Sequence, residues 1–196
     1  GKPVKQAETE IEHFLHGMTF YARLAPTMRG AYVPLPDTTM YGIVMKQPLG
    51  VCAAISPWNF PITLMGTKLG PALAAGNTVV HKPASTTPLT AIKIIELLNG
   101  AGLPPGVLNI VTGPGSVVGE ELISNPKGRR VAFTVASNTG QRVAEIAGRD
   151  MKRITLELGG SDPLIICDDA DLRRAEGATW IGRYFNCGQA CLAVNR

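Results

Sequence analysis

The sequence is poor in charge and in aromatic residues, and it has no long apolar run. Charged residues make up 17% of the 196 positions and aromatic residues 6%, while 45% are hydrophobic. This balance excludes a highly charged disordered chain and provides enough apolar surface for a sizeable core. No apolar stretch is long enough to cross a bilayer, so no membrane association is predicted. The first ten residues are polar and charged, unlike a secretory leader, and we therefore expect a cytoplasmic location.

The sequence also lacks the cysteine spacing of metal and disulfide motifs. Its four cysteines, Cys52, Cys167, Cys187 and Cys191, form no CxxC pair and have no histidine nearby at zinc-ligand spacing. We therefore predict no metal site and a reducing compartment. Cys52 and Cys167 lie in apolar, strand-like runs, where a buried free thiol is the usual explanation.

Positive charge is present without the pattern of a nucleic-acid surface. The net charge is +4, and the basic residues cluster at 127–130 and 173–174 with no aromatic side chains between them. A solvated surface explains this bias, and a mild attraction for an anionic cofactor is a second interpretation. We predict no nucleic-acid partner, and salt-dependent binding to DNA would contradict this prediction.

Glycine and proline, in contrast, are abundant and separate short apolar runs. The 22 glycines and 15 prolines fall in small clusters, which predicts many tight turns. From Gly50 onwards, apolar strands alternate with helices, which predicts an α/β fold with a parallel sheet covered by helices on both faces. The predicted strands cover 51–55, 77–82, 107–111, 130–134 and 153–157, and the predicted helices cover 62–75, 88–98, 116–124 and 139–147.

The regions on either side of this alternation have their own patterns. Apolar residues at helical spacing predict a helix over 7–25. Residues 30–47 form two extended segments around a turn at 36–39, with a strand at 40–45. After Gly160 the predicted elements are a strand at 164–167 and a helix from 172 to about 185.

Aspartates precede this last helix and have two interpretations. Asp168, Asp169 and Asp171 could ligate calcium, but the loop lacks the glycine and the distal glutamate of an EF-hand. Capping of the helix is therefore the preferred interpretation.

Three polar side chains stand at or just after the ends of predicted strands. These residues are Asn59, Lys82 and Glu157. Ligands of parallel sheets bind at the carboxyl ends of the strands, so a site is expected there. No GxGxxG fingerprint follows the first strand, and the nearest glycine pattern, Gly113-Pro114-Gly115 with Gly119, is weak support for a nucleotide site.

The side chains needed for covalent chemistry on a carbonyl are also present. Cys191 is a candidate nucleophile among small residues, Glu157 is a candidate base followed by two glycines, and Asn59 is a candidate donor to an oxyanion. Each also has a simpler explanation: a structural thiol, a salt-bridged carboxylate and a turn asparagine. The catalytic interpretation is favoured over these simpler explanations by four segments that occur in this order: PWNFP, KPASTTP, ELGGSDP and NCGQAC. Together they resemble the NAD(P)-dependent aldehyde dehydrogenase superfamily, and the similarity extends from about Glu10 onwards.

The resemblance implies a domain organisation. Residues 1–29 and 48–158 would form a Rossmann-like NAD(P)-binding domain, residues 30–47 an oligomerisation arm, and residues 159–196 the beginning of a catalytic domain. The sequence therefore looks like an interior fragment of such an enzyme, which at full length would be a homodimer or homotetramer. For residues 30–47, a hairpin packed on its own domain is an equally good alternative, since a free hairpin is marginally stable.

The resemblance further implies oxidation of an aldehyde to a carboxylic acid. Cys191 would attack the carbonyl, and the thioester left after hydride transfer to NAD(P)+ would be hydrolysed. Glu157 would activate the water or the thiol, and Asn59 would form the oxyanion hole with the backbone N–H of Cys191. Cys187 occupies a variable position of the motif, and a disulfide with Cys191 under oxidation is a minor alternative.

A cofactor site for NAD or NADP follows from the same resemblance. Lys82 would contact the adenosine ribose, and Ser85 replaces a glutamate found in many NAD-preferring members, so we expect NADP+ to be accepted. Val135 and Ala136 depart from the usual FTGS pattern, and a β-branched residue there would crowd the cofactor. The expected cofactor-binding residues are Ile55, Ser56, Trp58, Lys82, Ala84, Ser85, Gly115, Gly119, Phe133, Ala136, Leu158 and Gly159.

Two alternative functions stay open at this point. One is a CoA-acylating relative, in which CoA replaces water as the acyl acceptor, although Glu157 favours hydrolysis. The other is a non-catalytic nucleotide-binding fragment. The aldehyde is not specified; Arg183 could bind a carboxylated aldehyde, and it is equally well explained as an exposed helix arginine.

Overall fold

The central feature is a five-stranded parallel sheet, as predicted. In the computed structural model, which describes residues 1–37 and 39–196, the strands have the order β5-β4-β3-β6-β7. Their bounds are β3 Val51–Ile55, β4 Thr78–Lys82, β5 Leu108–Ile110, β6 Gly128–Thr134 and β7 Arg153–Glu157. The chain enters this sheet at its middle strand, β3, and continues through β4 to the edge strand β5. It then returns to the other side of β3 as β6 and ends the sheet at β7. This topology confirms the predicted α/β fold.

Helices cover both faces because β3 buries both of its sides. Cys52 and Ala54 point to one face and Ala53 and Ile55 to the other, since side chains alternate along a strand. The first face packs against α2 and α3, and the second packs against α4 and α5. The helix bounds are α2 Thr63–Ala74, α3 Leu89–Gly100, α4 Glu120–Ser124 and α5 Ser137–Arg149, with one turn of π-helix at Gly115–Gly119 before α4.

A long helix, α1 (Val4–Leu24), packs against α2. The contact is close because α2 presents glycine to aromatic side chains of α1. A Cβ added at Gly66 would lie 2.7 Å from the Phe14 ring. Phe14 is buried at this contact, and α1 is therefore held firmly on the helix that follows the first strand of the sheet.

Residues of the predicted arm form an antiparallel hairpin. Strands β1 (Ala31–Pro34) and β2 (Tyr41–Val44) pair with each other, and Tyr32 and Tyr41 stack with ring centroids 6.2 Å apart. Their large side chains are mostly exposed, including those of Tyr32, Tyr41 and Ile43. Part of the predicted turn, at Thr38, lies outside the described residues.

The segment after Gly160 differs from its prediction in one element. Helix α6 (Leu172–Tyr184) is present, and Asp171 caps it as predicted, because Asp171 Oδ1 accepts from the N–H groups of Arg173 (2.9 Å) and Arg174 (3.2 Å). The predicted strand at 164–167 is wrong: although all four residues are described, they form no strand. A strand needs a continuous ladder of backbone bonds to a neighbouring strand, and here the region forms an isolated parallel bridge between Asp162 and Val194, with backbone bonds from Leu164 to Arg196 and from Asn195 to Asp162.

In the part of the chain that the structure describes, we find no helix long and apolar enough to span a membrane.

Candidate active site

A cleft of about 650 Å³ lies at the carboxyl ends of the strands, where β3 and β6 run side by side. The chain leaves these two strands towards opposite edges of the sheet, and their loops diverge and open a crevice. Most of the predicted site residues meet in this cleft. Its walls include Ile55, Ser56, Trp58, Asn59, Lys82, Ala84, Ser85, Gly115, Phe133, Ala136, Leu158, Gly159 and Cys191. Two predicted residues, Gly119 and Glu157, line adjoining cavities instead.

Gly119 lies in an apolar cavity of about 340 Å³ next to the cleft. The two spaces share the walls formed by Ile55, Lys82, Gly115 and Phe133. The remaining walls of the cavity include Ile123, Val143 and Ile146, which come from the helices on this face of the sheet. A flat apolar group with a polar edge, such as a nucleobase, fits a space of this size and lining.

The N-terminus of α5 opens into the same cleft. Its N-cap residue, Ala136, lines the cleft, and within the described residues no side chain caps the helix and its first turn holds no acidic residue. The first backbone N–H groups of the helix are therefore available to an anionic group such as a phosphate. Val135, which precedes them, also lines the cleft, and its N–H donates to the carbonyl of Glu157 (2.9 Å). The predicted crowding of a cofactor by Val135 stays a prediction.

Lys82 and Ser85 lie at the end of the cleft nearest to the apolar cavity. Lys82 is buried at the end of β4, its Nζ donates to the Pro83 carbonyl (3.2 Å), and burial lowers its pKa. The Ser85 hydroxyl donates to the Gly113 carbonyl (2.9 Å), which ties the loop after β4 to the loop after β5. An ammonium group and a small neutral side chain here can hold ribose hydroxyls or a phosphate.

Cys191 enters the cleft from a loop with an unusual backbone. Asn186, Cys187 and Gly188 have φ values of 54°, 58° and 74°. This left-handed conformation costs a non-glycine residue about 1–2 kcal/mol, so other contacts must stabilise the turn. Cys191 is half-buried, Cys187 is exposed, and across residues 1–37 and 39–196 the cysteines are free thiols.

Gly160 lets the backbone of the Cys191 loop approach the end of β7. A Cβ added at Gly160 would lie 2.8 Å from the carbonyl oxygen of Cys191. The second glycine after Glu157 therefore has a packing role, in addition to the flexibility expected from the sequence. It sets how closely the nucleophile loop packs on the sheet.

Asn59 and the Cys191 loop are joined directly. The side-chain amide of Asn59 donates to the Gln189 carbonyl (2.9 Å), and the side-chain amide of Asn186 donates to the carbonyls of Asn59 (3.0 Å) and Gln189 (3.2 Å). Next to these bonds the rings of Phe60 and Phe185 stack, with centroids 5.9 Å apart. Asn186 is 1% exposed. Its role was missed from the sequence, although it is part of the motif around Cys191.

Glu157 lines a small cavity of about 90 Å³ on the α2 side of the sheet, where it lies near Lys68. Lys68 is 7% exposed, and its Nζ donates to Thr134 Oγ1 (2.6 Å) and to the Leu64 carbonyl (3.0 Å). Burial lowers the pKa of Lys68 to about 8, and the charge of Glu157 partly opposes this shift. Lys68 can therefore give or take a proton near neutral pH. A lone lysine in the apolar run at 62–75 was the sequence signal for it.

Arg183 has a structural partner in this arrangement. Its Nη1 donates to Asn195 Oδ1 (2.7 Å) and to the Val194 carbonyl (3.4 Å). The side chain thus fastens α6 to the segment after Cys191. This contact favours the structural interpretation of Arg183 over recognition of a substrate carboxylate.

Comparison with known proteins places this arrangement in a family. A family model described as "Aldehyde dehydrogenase family" matches residues 1–196. The NADP(+) succinate-semialdehyde dehydrogenase GabD of Escherichia coli (strain K12) is 43% identical over 196 residues, which cover all of this chain and 41% of that protein. Retinaldehyde dehydrogenase 3 of Rattus norvegicus is 44% identical over 198 residues, covering all of this chain and 38% of that protein. The chain thus spans about two fifths of the length of these relatives.

The solved structures agree. A crystal structure described as an E. coli NADP dependent enzyme has a TM-score of 0.97 and 43% sequence identity. The match covers all of this chain and 41% of that one.

Proposed function

The chain belongs to the aldehyde dehydrogenase family, and we propose that it oxidises an aldehyde to a carboxylic acid with NAD(P)+ as the oxidant. The observation that carries the proposal is the single cleft shared by Cys191, Asn59, Lys82 and Ser85. A nucleophile, an oxyanion donor and nucleotide-holding groups in one crevice match the needs of covalent aldehyde oxidation.

Cys191 is the proposed nucleophile. Its thiolate forms a C–S bond with the aldehyde carbonyl carbon, and the π electrons of the C=O bond move to oxygen, giving a thiohemiacetal oxyanion. The side-chain amide of Asn59 and the backbone N–H of Cys191 donate to that oxygen. Asn59 Nδ2 uses one hydrogen on the Gln189 carbonyl, and its second hydrogen is the one proposed for the oxyanion.

When bound, NAD(P)+ would supply the hydride acceptor, and loss of a hydride from the Cys191 adduct would leave a thioester on Cys191. The geometry supports three places that would hold it: the apolar cavity for the base, Lys82 and Ser85 for the ribose, and the α5 N-terminus for the phosphates. Ser85 adds no negative charge beside Lys82, which supports acceptance of NADP+, and the E. coli relative carries NADP(+) in its name.

Glu157 and Lys68 are proposed to handle protons in the hydrolysis of the thioester. Water attacks the thioester carbon, the C–S bond breaks, and a base must take the proton of the water. Glu157 ends β7 beside the loop that contacts Cys191, and it lies near the partly neutral Lys68. The carboxylate would turn from the small cavity towards the cleft, and the Gly159–Gly160 segment gives it that freedom.

We also propose an assembly and a location. The β1–β2 hairpin exposes large apolar side chains, which supports its role as an arm in a homo-oligomer. A cytoplasmic location stays a prediction from the sequence.

The test is to trap the thioester. The protein is incubated with NADP+ and an aliphatic, an aromatic and a carboxylated aldehyde in turn, quenched in acid, and its Cys191 peptide is weighed by mass spectrometry. We expect aldehyde-dependent formation of NADPH and an acyl adduct on Cys191. The CoA-acylating alternative predicts an adduct that persists until CoA is added. No adduct and no NADPH with any of the three aldehydes, and none with NAD+ in its place, would contradict the proposal and favour the non-catalytic alternative.

A further inference from the structure

Helix α1 lies outside the cleft, yet two of its side chains hold the two loops that form it. Gln6 and Glu10 are four residues apart, so they lie on one face of the helix. Their partners are distant in sequence: Asn186 for Gln6, and Ile62 and Thr63 for Glu10. The contact of Gln6 thus reaches the nucleophile loop, residues 185–191, and the contacts of Glu10 reach the end of the oxyanion loop, residues 56–62, and the start of α2.

The contact of Gln6 fixes the left-handed turn before Cys191. Gln6 Oε1 accepts from the backbone N–H of Asn186 (2.7 Å). Asn186 is buried and has a φ of 54°. A buried N–H in a strained conformation needs an acceptor, because without one both the desolvation and the strain favour a different backbone arrangement. Gln6 therefore stabilises the conformation in which the side chain of Asn186 holds Asn59 and Gln189.

The contact of Glu10 fixes the loop that carries Asn59. Glu10 is 3% exposed, and its Oε1 accepts from the N–H groups of Ile62 (2.8 Å) and Thr63 (3.0 Å) at the start of α2. In the described residues the first position of α2 has no cap from its own side chain, so Glu10 supplies the cap from another helix. Lys2 completes the group, 3.0 Å from Glu10 Oε2 and 4.1 Å from the centre of the Phe60 ring.

We propose that Gln6 and Glu10 are positioning residues that set the distance between the Cys191 thiol and the Asn59 amide. The two loops already touch through Asn186 and the Phe60–Phe185 stack. Because both loops are also bound to helix α1, the helix restricts the movement of one loop relative to the other. Because a misplacement of about 1 Å can cost about 100-fold in rate, the cleft keeps its cofactor site but loses rate when the helix releases either loop. The proposal rests on the proposed function for its consequence, and on geometry alone for the positioning.

The decisive variant is Gln6→Leu, which keeps the volume of the side chain and removes the acceptor. We expect kcat for aldehyde oxidation to fall by about 10-fold to 100-fold, with the KM for NADP+ unchanged. The conservative Gln6→Glu variant retains an acceptor oxygen and should recover most of the rate, which a general loss of packing would not allow. Gln141→Leu, the same change at an exposed position of α5, is the control.

A second measurement needs no turnover. Amide hydrogen exchange at Asn186 should accelerate in Gln6→Leu, and exchange at Ile62 and Thr63 should accelerate in Glu10→Leu, which removes the acceptor oxygens, but not in the exposed Glu12→Leu. Unchanged kcat in an otherwise active protein, or unchanged exchange at Asn186, would overturn the positioning role. If the unmodified protein forms no thioester, the proposed function fails, and the exchange at Asn186 still decides the inference.

Discussion

The sheet and the segment after Gly160 are built in different ways. In the sheet, β3 is enclosed by two apolar clusters, Asn59 lies in the loop that follows it, and Lys82 ends the neighbouring buried strand β4. In the later segment, α6 has no buried residue among those described, and the Cys191 loop depends on a few hydrogen bonds around Asn186. Within the described residues, the position of the nucleophile thus depends more on hydrogen bonds than on apolar packing. Its geometry depends on contacts with the loop that carries Asn59.

Cys191→Ala gives the largest expected effect, because it removes the chemistry and leaves both halves of the cleft intact. We expect kcat for aldehyde oxidation to fall by at least about 10⁴-fold, while NADP+ binding, measured by fluorescence titration, is unchanged. Cys187→Ala, at the exposed cysteine of the same loop, is the control and should keep activity within about twofold. Loss of activity in Cys187→Ala together with retention in Cys191→Ala would assign the nucleophile to the other thiol.

Gly160→Ala directly tests the contact between the segment after β7 and the Cys191 loop. The added Cβ would meet the Cys191 carbonyl at 2.8 Å, so the nucleophile loop must move away from β7. We expect kcat to fall by about 100-fold, in line with a displacement of the order of an ångström. Gly177→Ala on α6 adds the same methyl group with no atom within 4 Å and serves as the control. Equal activity in both variants would show that the approach at Gly160 does not matter.

The burial of Lys68 between α2 and the sheet makes the free energy of unfolding depend on pH. The pKa of Lys68 is about 8 in the folded chain and ordinary, near 10.5, in the unfolded chain. Below pH 8 both states hold the proton, and the folded state bears the full cost of the buried charge. As pH rises from about 8 towards 10.5, the folded state loses the proton first and this cost disappears, which stabilises the fold by roughly 2–3 kcal/mol.

Urea unfolding at pH 7 and pH 10, compared between the unmodified chain and Lys68→Met, measures this effect. As pH rises, the free energy of unfolding of the unmodified chain should increase relative to that of Lys68→Met. A difference that stays constant across this range would contradict the buried position of the ammonium group. Lys93→Met, on the exposed surface of α3, provides the matched control.

Ser85→Glu has the smallest expected effect, and it changes cofactor selectivity without touching the Cys191 loop. A carboxylate beside Lys82 would repel a 2′-phosphate, and the NADP+/NAD+ ratio of kcat/KM should fall by about 10-fold. Ser124→Glu adds the same charge at an exposed position of α4 and should leave the ratio unchanged. An unchanged ratio in Ser85→Glu would remove Ser85 from the determinants of cofactor choice.

The same comparison explains which predictions from the sequence succeeded. The strands at 51–55 and 153–157 were predicted with the bounds that the structure has, because apolar runs between turns are a local signal. The strand predicted at 164–167 failed because a strand depends on a neighbour, which local sequence does not reveal. Lys68 and Asn186 were missed for the same reason: their burial arises from residues far away in the chain.

The contacts of α1 were the least predictable. Gln6 and Asn186 are 180 residues apart, and a glutamine on an amphipathic helix is ordinarily a surface residue. Sequence reasoning placed the candidate chemistry on Cys191 and Asn59. Only the folded structure shows that one helix contacts both of the loops that carry these residues.

The most direct test of an assembled cleft is the reactivity of its thiol. The protein is treated with limiting iodoacetamide, with and without NADP+, and all four cysteines are quantified by peptide mass spectrometry. We predict fast labelling of Cys191, a rate that changes when NADP+ is present, and slow labelling of Cys52, which is buried. Equal and slow labelling of all four thiols, insensitive to NADP+, would show that Cys191 and the nucleotide site do not share a formed cleft.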